Sequence, residues 1–383
     1  MQQWTTIIQQ SNKILSRIFK EDSAFLLFHD DADGCCSAAI LINLIAKQSK
    51  HDFLNFASPE KHSVELTQKL VKKLQEVRPK FIVSLDLALT SSIEKIRTLL
   101  GSLNAQMLAY DHHIQSKSLR WPENCIHVNP LNFNLRNIPA SYYSYVLYKH
   151  YANESNACWV AAIGVVQDYR VKECNDLLEE VRDIYPFLYP FEAIDQPTAL
   201  RSPLITLVHL VNAGYQHSDY KGAKAAVEVL KEALEMDDPT ILLEGKTEKA
   251  KLLHRFRREV DEELEEYLER FDSEAEFHPD SQLAFYTINP KFNITSQIAT
   301  QLQHYHPNTI IVVISPETRK TLKVSLRRGD KEKTDLAALA ESTTVKLLQA
   351  SGGGHQDAAG CILRNEDVKL WKKNMLQYLH KTA

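Results

Sequence analysis

The sequence predicts an α/β protein with an N-terminal doubly wound parallel sheet, a helical connector and a smaller C-terminal α/β domain. Three observations carry this. Through the first 170 residues short apolar runs alternate with amphipathic stretches, the pattern of βαβ units. From about residue 172 the periodicity is helical, and from about residue 282 apolar runs of strand length return. A chain of 383 residues exceeds what a single core organises, so the expected division is 1–172, 173–281 and 282–383.

The expected strands of the first domain are Phe25–His29, Phe53–Ala57, Phe81–Asp86, Met107–Asp111 and Ile126–Asn129. Between them Leu66, Leu70, Val71, Leu74 and Val77 share one helical face, as do Ile93, Ile96 and Leu100. Gly222–Met236 is rich in helix formers and is stopped by Asp237, Asp238 and Pro239. Leu253, Phe256, Val260, Leu264, Tyr267 and Phe271 recur every three or four residues in a charged background, which predicts one long connecting helix. Further strands are expected near Leu283–Ile288, Ile310–Ile314 and Thr321–Leu326.

Composition narrows the class. With 44% hydrophobic and 25% charged residues the chain is an ordinary globular protein, and wholesale disorder is excluded. The six cysteines contain no CxxC pair, which suits reduced thiols rather than a disulfide framework or zinc site. No apolar stretch has the length of a membrane span and the first residues lack a signal-peptide pattern, so a cytoplasmic location is expected. A net charge of −4 leaves polyanion binding to local patches and metal.

In doubly wound sheets ligands sit beyond the carboxyl ends of the strands. Three predicted strands end in groups suited to that position: His29-Asp30-Asp31-Ala32-Asp33-Gly34, Asp86, and Asp111-His112-His113. Packed carboxylates repel one another, and a divalent cation is the usual remedy. A helix N-cap explains one aspartate of the first group, and a turn or cap explains Asp86 taken alone. Adjacent histidines point in different directions, so one can bind metal while the other faces a phosphate. Asp168 closes the apolar stretch Trp159–Val166, where a helix terminus is the plain reading.

Taken in order, His29-Asp-Asp31-Ala-Asp33-Gly34, Asp86, Asp111-His112-His113 and Asp168 make the chain resemble the DHH phosphoesterase family. That family includes RecJ-type exonucleases, short-oligonucleotide nucleases, cyclic-dinucleotide phosphodiesterases and manganese pyrophosphatases. By position, the resemblance implies His29, Asp31 and Asp86 as ligands of one metal and Asp33, Asp86, His112 and Asp168 as ligands of the other, with Asp86 bridging. Two such ions, about 3.5–4 Å apart, clamp the attacking and leaving oxygens of a phosphoester. The mixed imidazole and carboxylate shell favours Mn2+, with Mg2+ possible. His113 is implied as the catalytic contact to the substrate phosphate, Asp111 as the carboxylate orienting its neighbours, and Asp30 as a solvated residue.

Near the C-terminus, Ser351-Gly352-Gly353-Gly354-His355 opens a stretch holding four of the chain's 11 glycines. Such clustering suits backbone N–H contact with an anion, although a ligand-free glycine turn has the same composition. The run resembles the Gly-Gly-Gly-His loop of the DHH-associated C-terminal domain, which in relatives grips a phosphate or strand end. Asn293, Ser325 and Arg327 stand where that domain has substrate contacts, and an arginine can hold phosphate with two donors. Between Arg319 and Lys333 seven basic residues face two acids, a local excess that suits a polyanion.

The resulting expectation is a metal-dependent, RecJ-like exonuclease hydrolysing single-stranded DNA or RNA from an end. A short-oligonucleotide or cyclic-dinucleotide phosphodiesterase is the alternative within the enzyme class. An inactive replication or repair scaffold is the alternative outside it, disfavoured because every expected ligand is present.

Overall fold

The structure, a computed structural model, describes residues 2–21, 23–49, 55–60, 63–113 and 119–382. The chain divides into two units, Met1–Arg257 and Arg258–Ala383.

The first unit is built on strands β1 (Ala24–Phe28), β2 (Phe56–Ala57), β3 (Phe81–Leu85), β4 (Gln106–Tyr110) and β5 (Cys125–Val128). Their order is β2-β1-β3-β4-β5 and every pairing is parallel, as predicted. Of the strand expected over Phe53–Ala57, Phe53 and Leu54 lie outside the described residues. Successive side chains leave a strand on opposite faces. Leu26 and Phe28 of β1 accordingly join one core with the helix Ala32–Gln48, while Phe25 and Leu27 join another with Leu70, Leu74, Ile96 and Leu100. Both faces are covered, which is why these strands read as unbroken apolar runs.

Residues 173–257, grouped by the sequence with the connector, pack onto the first unit. Leu207, Val211, Ala226, Leu230 and Leu242 belong to the same core as Phe28 and the helix Ala32–Gln48. The physical reason lies in the helix Cys158–Gln167, whose residues Cys158–Val166 are all buried. A helix that is apolar all round needs cover on every side, and the helix Pro203–Glu235 packs against it. The expected helix Gly222–Met236 is the second half of that element, which bends at Ser218 and Asp219, where φ and ψ are −132° and 21°, and 53° and −144°.

The connecting helix runs over Glu248–Glu274. Its apolar stripe is shared out: Leu253 and Phe256 join the first unit's core, and Val260, Leu264, Tyr267 and Phe271 join the second's. Among the described residues no helix is long and apolar enough to cross a membrane.

The second unit holds β6 (Glu276–His278), β7 (Leu283–Thr287), β8 (Ile310–Pro316), β9 (Thr321–Arg328), β10 (Ser351–Gly354) and β11 (Ala358–Arg364). The order is β10-β11-β9-β8-β7-β6, with β7 and β8 parallel and the other neighbours antiparallel. One expectation needs correction. The glycine run is a strand rather than a loop, because its backbone pairs with β11 from Ser351 opposite Ile362 to Gly354 opposite Ala359. The turn begins at His355, whose N–H donates to the Ala358 carbonyl at 2.8 Å.

Candidate metal centre

Three neighbouring strands of the first unit, β1, β3 and β4, release their polar residues at the same edge of the sheet, where the connections from β1 and β3 diverge. After β1 the chain turns at once into the helix Ala32–Gln48. Asp31 caps this helix, with Oδ1 accepting the Gly34 N–H at 3.1 Å while Oδ2 lies 3.1 Å from His29 Nδ1. The cap and the functional readings of this aspartate therefore hold together, one oxygen for each. Gly34 is required by close approach, since a Cβ there would stand 2.0 Å from the His29 carbonyl oxygen.

Asp86 leaves β3 in the left-handed region, φ 60°, with its N–H donating to the Tyr110 carbonyl at 3.0 Å. A non-glycine residue there carries strain, which tends to collect at functional sites. Its two oxygens face different imidazoles, Oδ1 at 3.0 Å from His112 Nε2 and Oδ2 at 3.5 Å from His29 Nδ1. His112 Nε2 also lies 3.5 Å from Asp168 Oδ2. Ligand atoms of His29, Asp31 and Asp86 all lie within 4.8 Å of one another, and so do those of Asp33, His112 and Asp168. A third such group joins Asp86, His112 and His113.

Asp33 is fully buried and accepts two backbone N–H groups at the start of the helix Ala140–Ala152, from Ala140 at 2.7 Å and Ser141 at 2.9 Å. Such a helix end is a natural seat for a carboxylate. The helix Cys158–Gln167 passes so close that a Cβ on Gly164 would stand 2.5 Å from Asp33 Oδ1. Asp168 caps the end of that helix, and its Oδ2 is buried with no hydrogen-bond partner among the described residues.

Asp111 is buried and takes His113 Nδ1 at 2.6 Å on its Oδ1, which fixes the imidazole while leaving its side chain 42% exposed. Asp30, expected to be solvated, is instead 0% exposed, with Oδ1 3.7 Å from His29 Nε2. The helix start folds over it, and its carbonyl accepts from the Cys35 thiol.

So many charges at so little exposure displace their proton affinities. Burial by itself lowers the affinity of His29, but Asp31, Asp86 and Asp30 hold it well above the usual histidine range. His112 is pushed up to about 10, burial being outweighed by its hydrogen bond to Asp86 and the charges of Asp86, Asp168 and Asp33. Burial raises Asp86, yet hydrogen bonds to His112 and His29 hold it well below the carboxylate range. Burial and the Asp86 charge raise Asp33 to about 7, and burial and Asp33 raise Asp168. The donor set fits divalent cations: carboxylates and imidazole nitrogens converge, and Asp168 has a buried oxygen that a cation would satisfy.

Two residues around this centre carried no sequence signal beyond a polar side chain near apolar neighbours. The Asn137 amide meets His112 Nδ1. The Asn212 amide bonds to Ala32 and to Gln167.

The remaining predicted site residues belong to the second unit. Arg327 on β9 donates from Nε to Thr300 Oγ1 at 3.1 Å and from Nη1 to the Leu326 carbonyl at 2.8 Å and Ser325 Oγ at 3.3 Å. Lys323 Nζ reaches Asn293 Oδ1 at 3.4 Å. Gly352, Gly353 and Gly354 lie on β10, two strands from β9, and His355 is exposed. Part of the basic excess is neutralised within the unit, since Arg328 Nε donates to Asp357 Oδ1 at 2.8 Å.

Residues 280–381 match the DHHA1 domain. The fold is similar to that of RecJ from Thermus thermophilus in complex with Mn2+, with a TM-score of 0.74 and 15% identity over 98% of this chain. This chain spans 55% of that one. It is also similar to an exonuclease RecJ bound to manganese, with a TM-score of 0.70 and 15% identity over 97% of this chain and 94% of the other. CDC45 from Entamoeba histolytica is similar over 98% of this chain and 99% of its own, with a TM-score of 0.57 and 12% identity. No curated protein matches the sequence. Residues 280–381 thus match the DHHA1 domain, and the chain as a whole has the fold of the RecJ structures.

Proposed function

We propose that this protein is a metal-dependent phosphodiesterase that hydrolyses single-stranded nucleic acid from an end. The observation that carries the reading is Asp86, whose two oxygens face two imidazoles belonging to two separate ligand groups. His29, Asp31 and Asp86 would hold one divalent ion and Asp33, Asp86, His112 and Asp168 the other, with Mn2+ favoured. When bound, such a pair supplies Lewis acidity to the phosphoryl oxygens and a nucleophile near neutral pH.

The chain's own residues do the rest. As the imidazolium, the form that Asp111 favours by accepting at Nδ1, His113 donates a hydrogen bond from Nε2 to a phosphoryl oxygen. Burial of Asp30, Asp33, Asp86 and Asp111 keeps competing water from the carboxylates. In the second unit, Arg327, Ser325, Asn293 and the run Gly352-Gly353-Gly354-His355 hold the phosphates of the strand. The reading implies work in nucleic-acid repair in the cytoplasm.

The test is a length series of end-labelled DNA and RNA oligonucleotides with Mn2+. Stepwise release of mononucleotides from long strands is expected. Cleavage confined to two- or three-nucleotide substrates would instead make it a short-oligonucleotide phosphodiesterase. Mn2+ binding without hydrolysis of any phosphodiester would end the enzyme reading.

A further inference from the structure

Asn212 lies in the helical region for which the sequence offers no motif, yet it touches the segments that carry three of the proposed metal ligands. Its Oδ1 accepts the Ala32 N–H at 2.9 Å, and its Nδ2 donates to Gln167 Oε1 at 2.8 Å. Ala32 stands between Asp31 and Asp33, and Gln167 directly precedes Asp168. The residue is 8% exposed.

We propose that Asn212 is a positioning residue of the metal centre, tying the Asp31–Asp33 turn to the Asp168 turn at a fixed separation. This rests on the metal-ligand reading above. The Ala32 N–H is among the first donors of its helix and has no partner within it. The Asp31 cap takes the Gly34 N–H, so Ala32 is served by a side chain 180 residues away. Gln167 in turn is braced by its neighbour, because Gln196 Nε2 donates to the Val166 carbonyl at 3.0 Å. One planar amide with both its donor and its acceptor engaged sets both distance and angle. Ion sites tolerate little more than about 0.5 Å of ligand displacement.

A purely structural role predicts something different: loss of Asn212 would lower stability and leave ion affinity alone. The test uses the full chain and reads Mn2+ binding by electron paramagnetic resonance and calorimetry, with unfolding in chelator measured in parallel. Asn212→Leu removes both bonds at similar volume. It should weaken the ion site that Asp168→Ala abolishes by about ten- to a hundredfold, the usual scale for groups that orient ligands. Asn212→Asp keeps an acceptor for Ala32, and a rotated Gln167 amide can donate to it, so affinity should return to within a few fold. Gln167→Leu, at a partly exposed position, should weaken the same site even if Asn212→Leu fails to fold. Wild-type Mn2+ affinity in a folded Asn212→Leu protein, or in Gln167→Leu if the former does not fold, would overturn the proposal. Absence of Mn2+ binding in the unmutated protein would overturn the metal-centre reading first, and with it this one.

Discussion

Asp86 Oδ1 lies 3.0 Å from His112 Nε2, a contact that joins the ends of the neighbouring strands β3 and β4. The other oxygen of Asp86 reaches toward the end of β1. Removing this carboxylate should therefore damage both ligand groups. Asparagine tolerates the left-handed conformation of residue 86, whereas alanine adds about 1–2 kcal/mol of strain. Asp86→Asn should stay folded and lose hydrolysis by at least about a hundredfold. Near-normal turnover of the folded variant, measured on a labelled oligonucleotide, would remove Asp86 from the centre.

Asp33 and Asp168 should separate in their effects on stability. Asp33→Ala leaves the buried N–H groups of Ala140 and Ser141 without an acceptor, at roughly 1–3 kcal/mol each. Asp168→Ala removes a carboxylate that burial and Asp33 already disfavour as an anion, so its metal-free stability should change by less than about 1 kcal/mol. Both variants should lose one Mn2+ in titration. Denaturant unfolding in chelator measures the contrast, and equal destabilisation would contradict it.

Metal should be required for activity and should stabilise the fold. Exhaustive chelation is expected to reduce hydrolysis to background, with Mn2+ restoring more than Mg2+. An ion at a hundred times its dissociation constant adds about 2.7 kcal/mol, which a thermal shift detects. Full activity after chelation would contradict the two-ion reading.

His209 should contribute a pH dependence to stability. Burial, aided by the Arg257 charge, lowers it to about 4. The unfolded chain then binds one more proton than the folded one between about pH 6.5 and 4, so stability falls as pH drops through that window. The expected loss between pH 7 and 5 is about 1–2 kcal/mol. His209→Gln should remove that part of the slope, and denaturant titrations at the two pH values compare the proteins directly.

Substrate holding should separate from chemistry. Arg327→Ala and His355→Ala should leave Mn2+ binding intact and lower kcat/KM on oligonucleotides by about ten- to a hundredfold, the scale of one charge-assisted hydrogen bond. A small chromogenic phosphodiester that needs only the metal centre should be hydrolysed almost as before. Equal loss on both substrates with the metals bound would place these residues in the chemical step.

Much of the candidate centre is legible along the chain because most of the proposed ligands directly follow an apolar strand or helix. Asp31, Asp86 and His112 stand one to three residues beyond β1, β3 and β4, so the period of the strands alone brings them to one edge. The burial of Asp30 is not legible because exposure is not a local property: the same turn that exposes a residue in one fold buries it when a helix starts above it. The glycine run reads as a loop because nothing in its composition shows that its backbone has a strand to pair with, and an edge strand so paired needs no side chains.

The sequence by itself determined the parallel sheet, the long connecting helix and the order of the proposed ligands, since these depend on periodicity and on neighbours within a few residues. Tertiary structure alone decided which carboxylate oxygen faces which imidazole, that residues 173–257 complete the first core, and that Asn212 meets both Ala32 and Gln167. Those contacts join residues as much as 180 positions apart. The contacts of Asn212 follow from the helix Cys158–Gln167, which is apolar and buried through Val166 and needs cover, because the helix that packs on it, Pro203–Glu235, carries Asn212.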